Sequence, residues 1–188
     1  SGKNQINANN KLRSSLGLPV NGEKVDDYVL DDLHADLGAK MEELVGGNEM
    51  FYASEQLFDR AEELQAMVKK GVLRDPEDVK TINNVVRKFG DRERRKPVSV
   101  SDYQQTASDL STIGRNTKDP ATKRALEGLR DAMDYEFEQA FPSRGELGEV
   151  RRKWASLKDV ERSKALDGGD FRPVIFYNYL RNKYGRVI

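Results

Sequence analysis

The sequence predicts an all-α fold, a compact or elongated bundle of several helices, and three observations support this prediction. Apolar residues recur every three or four positions, as in Leu126, Leu129, Met133 and Phe137, which places them on one face of a helix. Prolines, glycines and capping residues separate these segments. No segment has the convincing alternation of apolar and polar residues that marks a strand. We therefore expect about six long helices and one shorter one.

The segment 120–166 carries the strongest helix signals. Asp119 places a capping carboxylate directly before a proline at the first helical position, where the missing N–H costs nothing. Pro142 interrupts the apolar pattern, because the residue before a proline avoids the α region. Ser143 and Glu146 then fit a capping box that starts a second helix. Two amphipathic helices so close in sequence predict an antiparallel αα-hairpin.

The remaining helices are delimited in the same way. Glycine pairs or single glycines mark their C-terminal ends, and Asp-Pro or Ser-x-x-Gln sequences mark their starts. One further short helical turn is expected near Asn9. The other predicted helices cover residues 27–45, 48–70, 76–89, 101–114 and 173–184. Residues 91–100 are basic and extended, so we expect a boundary there between helical parts at 1–90 and 101–188, or one continuous domain.

Composition excludes several classes of protein. Hydrophobic residues are 37% and charged residues 34% of the 188 residues, and the mean hydropathy is −0.78. These values suit helices with a narrow apolar face. Basic and acidic residues balance at 32 each, so overall charge does not favour nucleic acid or anionic lipid. The sequence has no cysteine, which excludes disulfides and thiolate chemistry. No apolar run approaches the roughly 20 residues that span a bilayer.

The candidate catalytic and metal-binding residues each have a simpler structural interpretation. His34 is the only histidine; it lacks partner ligands and follows Leu33 on the helix, away from the apolar face, so we predict a solvated position. Glu146 and Glu149 are interpreted as a cap and an exposed helix residue, and Ser143 has no histidine to activate it. The acidic residues of 26–49 do not form a calcium loop. We therefore expect no enzyme activity, no cofactor, no metal and no small-molecule ligand.

Two basic segments are the candidate contact sites. One is the loop 87–96, and the other is the tail 172–188, in which aromatic and basic residues alternate. Phosphate contact and base stacking use such a mixture, although solvated charges and packed aromatic rings are the favoured explanation. The tail also has the opposite charge to the acidic helix 27–45, which predicts pairing between subunits. The candidate residues are Arg87, Lys88, Arg92, Arg94, Arg95, Lys96, Tyr177, Arg181 and Lys183.

The order of motifs resembles large helical proteins of tailed bacteriophages and prophages. The lead-in Asn4-Gln-Ile, the turn Leu16-Gly-Leu-Pro19 and the helix Leu33-His-Ala-Asp-Leu-Gly38 are similar to the beginning of such proteins. Later segments around Asp119-Pro-Ala, Val150-Arg-Arg-Lys-Trp154 and Tyr184-Gly185 are similar as well. The likeness covers most of the chain, although the arginine usual in the first helix of that family is absent here.

The resemblance implies a structural helical module of a virion protein, an internal head or DNA-ejection component located in the phage particle. It supplies no catalytic residue, and it implies other virion proteins or copies of this chain as partners. The alternative is a module that contacts nucleic acid through the loop 87–96 and the tail. Ser1-Gly2 stands where an initiator methionine would be, which predicts a fragment of a longer chain.

Overall fold

The computed structural model describes residues 2–89, 93–167 and 169–185. These residues form eight α-helices and one two-stranded antiparallel ribbon, so the all-α prediction is confirmed. The elements in order are α1 Gly2–Ser15, α2 Asp27–Val45, β1 Met50–Tyr52, α3 Glu55–Lys69, α4 Pro76–Phe89, β2 Pro97–Ser99, α5 Val100–Asn116, α6 Pro120–Ala140, α7 Gly145–Arg162 and α8 Pro173–Tyr184.

The chain divides into two compact units. The first unit combines Ser1–Lys40 with Arg144–Ile188, and the second is the continuous segment Met41–Ser143. The predicted boundary at residues 91–100 lies inside the second unit because β2 pairs with β1, which places Val98 opposite Phe51.

In the first unit, the lead-in helix α1 is longer than the single turn that the sequence predicted. Its asparagines fix the loop that follows: the Asn9 amide donates to the Gly22 carbonyl, and Asn10 accepts from the Gly22 N–H at 2.6 Å. The buried Arg13 donates to the carbonyl of Pro19 at 2.6 Å. Gly17 has a φ of 71° and ends α1, since glycine adopts this left-handed conformation without strain.

In the second unit, α6 packs on α3 and α5 around an aromatic cluster. Phe137 stacks on Tyr103 with ring centroids 4.7 Å apart, and Phe51 meets both rings edge-on. Phe137 and Tyr103 are fully buried. The ribbon therefore has a packing role, since it places Phe51 in the core while its neighbour Tyr52 is exposed. The sequence prediction missed these strands and assigned Phe51 to a helix.

The two predicted helices of the 120–166 segment are present as α6 and α7. The structure places α6 in the second unit, where α3 and α5 cover its apolar face, and α7 in the first unit. Two capping predictions also need correction. Ser143 donates to Glu138 of the preceding helix instead of capping α7, whose N-cap is Arg144. The cap of α5 is Ser99, two residues before the predicted Ser101.

The predicted cap of α6 is confirmed. The Asp119 carboxylate accepts hydrogen bonds from the backbone N–H and the hydroxyl of Thr122. The hydrogen bond from the Thr122 hydroxyl, followed by the one from the Thr122 backbone N–H, holds the pKa of Asp119 below its usual value. Pro120 occupies the first turn, and the helix ends at Ala140, just before Pro142.

Candidate functional site

The basic loop contributes to a groove in the second unit. The groove has a volume of about 470 Å³. Most of its lining comes from α4, and Lys96, just before β2, and Asp109 of α5 complete it. Its lining residues, which we call the basic groove, are Thr81, Asn84, Val85, Arg87, Lys88, Lys96 and Asp109. The structure thus brings together three of the basic residues that the sequence predicted as contacts.

The three cations of the basic groove are not neutralised within the described part of the chain. Arg87 and Lys96 are exposed and Lys88 is half-buried, and no ion pair joins any of them to a described acidic residue. The groove has one carboxylate, that of Asp109, which accepts a hydrogen bond from the Gln105 amide at 3.0 Å. The groove therefore carries three positive charges against one negative charge.

The other predicted residues of the basic loop lie elsewhere. Arg95 forms an ion pair with Glu55 at the start of α3, and its guanidinium lies 5.8 Å from the centre of the Phe58 ring. Arg94 is exposed but does not line the groove. Arg92 lies outside the described residues. Thr81, Asn84 and Asp109 were not predicted as contacts from the sequence. The first two could have been found, because they share one face of α4 with Lys88 through their spacing of three and four positions.

The tail belongs to the first unit, so the two predicted basic segments fall in different units. Tyr177 is 51% exposed, and Arg181 follows it one turn later on the same exposed face of α8. Val174 precedes it one turn earlier and is also exposed. We call these three residues the aromatic-basic face of α8.

Lys183, the third predicted contact of the tail, is engaged inside the unit. Its ammonium lies 2.6 Å from one carboxylate oxygen of the buried Asp159, and the Tyr184 hydroxyl donates to the other oxygen at 2.8 Å. Burial lowers the pKa of Lys183, but the hydrogen bond and charge of Asp159 outweigh this effect and raise the pKa above its usual value. Burial, together with the hydrogen bond to Asp159, raises the pKa of Tyr184.

The acidic helix also presents a defined surface. Tyr28 is 81% exposed, and Asp32, Ala35 and Asp36 are exposed at helical spacing beyond it. We call these four residues the acidic face of α2. They belong to the first unit, like the aromatic-basic face of α8.

His34 is not solvated, and that prediction is wrong. The residue is 3% exposed, its Nε2 lies 2.8 Å from a carboxylate oxygen of Glu161 on α7, and its ring meets Trp154 edge-on at 5.2 Å. Trp154 is 1% exposed, as its predicted core position requires. The contact of His34 with Glu161 joins two helices of the first unit, and the two side chains are only 2% and 5% exposed, which is typical of a structural role.

The described residues form no cluster that could hold a metal ion. Glu146, Glu149 and Ser143 are exposed, and no group of three or more histidine, aspartate or glutamate side chains within the described ranges could hold a metal ion. A search of the same residues for a helix long and apolar enough to cross a membrane finds none.

Comparison with known proteins adds no identification. No protein-family model, curated protein or solved structure shows a significant match to this chain. The likeness to bacteriophage virion proteins therefore stays a prediction from the sequence.

Proposed function

We propose that this chain is a structural, non-enzymatic helical module of a bacteriophage virion protein, an internal or DNA-ejection component that acts by binding copies of itself in the particle. The order of its motifs supports the phage origin. The observation that carries the structural role is the presence of two exposed, oppositely charged faces in the first unit.

The two faces are chemically complementary. Arg181 and Tyr177 of α8 supply a guanidinium and an aromatic ring, whereas Asp32, Asp36 and Tyr28 of α2 supply two carboxylates and a second ring. Arginine and tyrosine are enriched at protein interfaces, and complementary charge sets register and partner choice more than raw affinity.

The two faces differ, so a contact between them is heterologous, with the α8 face of one copy on the α2 face of the next. Such contacts repeat head to tail and generate rings or filaments. Repeating assembly of this kind suits a component of a particle. Exposed apolar and aromatic residues on both faces, Val174 and Tyr177 on one and Tyr28 on the other, provide the surface that association buries.

A charge exchange tests this proposal. In the Arg181→Glu variant, the new carboxylate should be repelled by the acidic face of the next copy. In the double variant Asp32→Arg with Asp36→Arg, the new guanidinium groups should be repelled by the aromatic-basic face of the next copy. Each variant alone should therefore sediment as a smaller species than wild type. Mixing the two variants restores both pairings, so the equimolar mixture should recover the large species in sedimentation velocity.

Arg152→Glu is the matched control, since Arg152 is an exposed residue of α7 in the same unit and the charge change is identical. It should sediment like wild type, and far-UV circular dichroism should show that all variants are folded. A monomeric wild type at every concentration, or a mixture no larger than its components, contradicts the proposal.

A further inference from the structure

The basic groove of the second unit is a binding site distinct from the two faces just described. We propose that it binds the sugar-phosphate backbone of nucleic acid without sequence preference. This inference goes beyond self-assembly, because it concerns other residues, another unit and another kind of partner.

The cations of the groove are available to an anion. Two other predicted basic contacts are engaged by acids, since Arg95 pairs with Glu55 and Lys183 pairs with Asp159. Arg87, Lys88 and Lys96 have no such partner among the described residues. Unpaired cations that line one groove produce a local positive potential that attracts anions even when the net charge of the chain is zero.

The lining matches the side chains that contact phosphates. Protein contacts to phosphate oxygens come from arginine and lysine and from neutral donors such as threonine and asparagine, and Arg87 can present two parallel N–H groups to one phosphate. The Asn84 amide is exposed and has no hydrogen-bond partner among the described residues. It therefore adds a neutral donor on the same helix face as Lys88.

The groove contains no means of reading bases by stacking. Among the described residues that line it, none is aromatic, whereas single-strand binding with stacking requires aromatic side chains. Contact is therefore confined to the backbone, and affinity should depend on salt rather than on sequence.

Asp109 allows a test in which a substitution should strengthen binding. Its carboxylate, positioned by Gln105, faces the same groove as the three cations and opposes an incoming phosphate. Replacing it by asparagine keeps the size of the side chain and removes the negative charge. Asp109→Asn should therefore bind more tightly than wild type, which is a gain that unfolding cannot imitate.

The experiment measures the binding of the full chain to a fluorescein-labelled, mixed-sequence single-stranded oligonucleotide by anisotropy at several salt concentrations. Three phosphate contacts predict a slope of log K against log salt of about −2. Lys88→Ala with Lys96→Ala should lose about 1.4 of this slope and roughly tenfold or more in affinity at low salt. Asp109→Asn should gain roughly two- to fivefold.

Lys80→Ala is the matched control, since Lys80 is an exposed lysine on the same helix that does not line the groove. It should leave both the affinity and the slope unchanged. Circular dichroism melts check that every variant is folded.

Several results would overturn the proposal. They are an absence of binding at low salt, or equal binding by wild type and the double-lysine variant. Poly-glutamate that competes as well as unlabelled oligonucleotide at equal charge would assign the groove to an acidic protein partner. Self-assembly is measured separately, so either proposal can fail while the other stands.

Discussion

His34 shows how a single residue can be misplaced by a pattern of apolar residues. The apolar positions of α2 are Leu30, Leu33, Leu37 and Met41, and His34 lies beside them on the helix. In the structure His34 is buried with them, because Glu161 gives its ring nitrogen a partner that replaces water. That partner is 127 residues away in sequence, so spacing along the helix could not reveal it.

The contact with Glu161 makes a prediction about stability. His34 Nδ1 already lacks a hydrogen-bond partner among the described residues, so Glu161→Ala would leave both ring nitrogens buried without one. We expect the free energy of unfolding of the first unit to fall by about 1–3 kcal/mol. Urea denaturation followed by the fluorescence of Trp154, the only tryptophan, measures this change.

Glu149→Ala is the control for that measurement. Glu149 is an exposed residue of the same helix, and surface changes of this kind usually stay within about 0.5 kcal/mol. Equal urea midpoints for the Glu161 and Glu149 variants would show that the buried contact does not stabilise the unit.

At the scale of single elements, α8 depends on polar contacts to an unusual degree. No residue of α8 is buried, and its last turn is held by Lys183 and Tyr184, which share the carboxylate of Asp159. The fold raises the pKa values of both side chains. The contact therefore requires the protonated form of each group.

This requirement predicts a loss of stability at alkaline pH. A raised pKa in the folded state means that the stabilisation is fully present below the pKa of the unfolded chain, near pH 10 for both groups, and is lost as the pH rises further. We expect the free energy of unfolding to fall more between about pH 8 and pH 11 in wild type than in a Lys183→Met and Tyr184→Phe variant. Urea denaturation monitored by Trp154 at the two pH values reports the difference.

Tyr177→Phe serves as the control, since Tyr177 is an exposed tyrosine of the same helix that makes no contact with Asp159. It should lose as much stability as wild type over this pH interval. Equal losses in wild type and in the double variant would mean that Asp159 does not hold α8.

The elements that the sequence predicts well are those with local signals. The cap at Asp119 and the proline at position 120 fix the start of α6, and Gly17 ends α1 through its own conformation. The ribbon has no such signal, because its three-residue strands are too short for alternation to be recognised. Its formation depends on pairing between Phe51 and Val98, which are distant in sequence.

The candidate site follows the same rule. The basic residues at 87, 88 and 96 were predicted because they cluster in sequence, but their gathering into one groove with Asp109 depends on how α4 and α5 pack. The separation of Lys183 from the candidate contacts depends on Asp159, a residue on another helix. Sequence therefore indicates which charges are present, whereas packing decides which of them are available.

At the scale of the whole molecule, the chain is organised into units that do not follow the order of its helices. The predicted hairpin of residues 120–166 assumed that neighbouring amphipathic helices pack together. In the structure α3 and α5 pack on α6 within the second unit, and the chain passes into the first unit between Ser143 and Arg144. Periodicity identifies an apolar face but does not identify its partner.

The second unit should fold by itself. It is one continuous segment, Met41–Ser143, and it contains an aromatic cluster in which Phe51, Tyr103 and Phe137 of this segment contact one another. We expect a fragment of residues 41–143 to unfold cooperatively on heating and to have the same helical content as residues 41–143 have in the full chain. Far-UV circular dichroism measures both.

A matched fragment with Phe137→Ala should lose about 3–5 kcal/mol of its free energy of unfolding. Tyr135→Ala, at an exposed position on the same helix, should not. A gradual, non-cooperative melt of the unsubstituted fragment would show that the second unit needs the rest of the chain to fold.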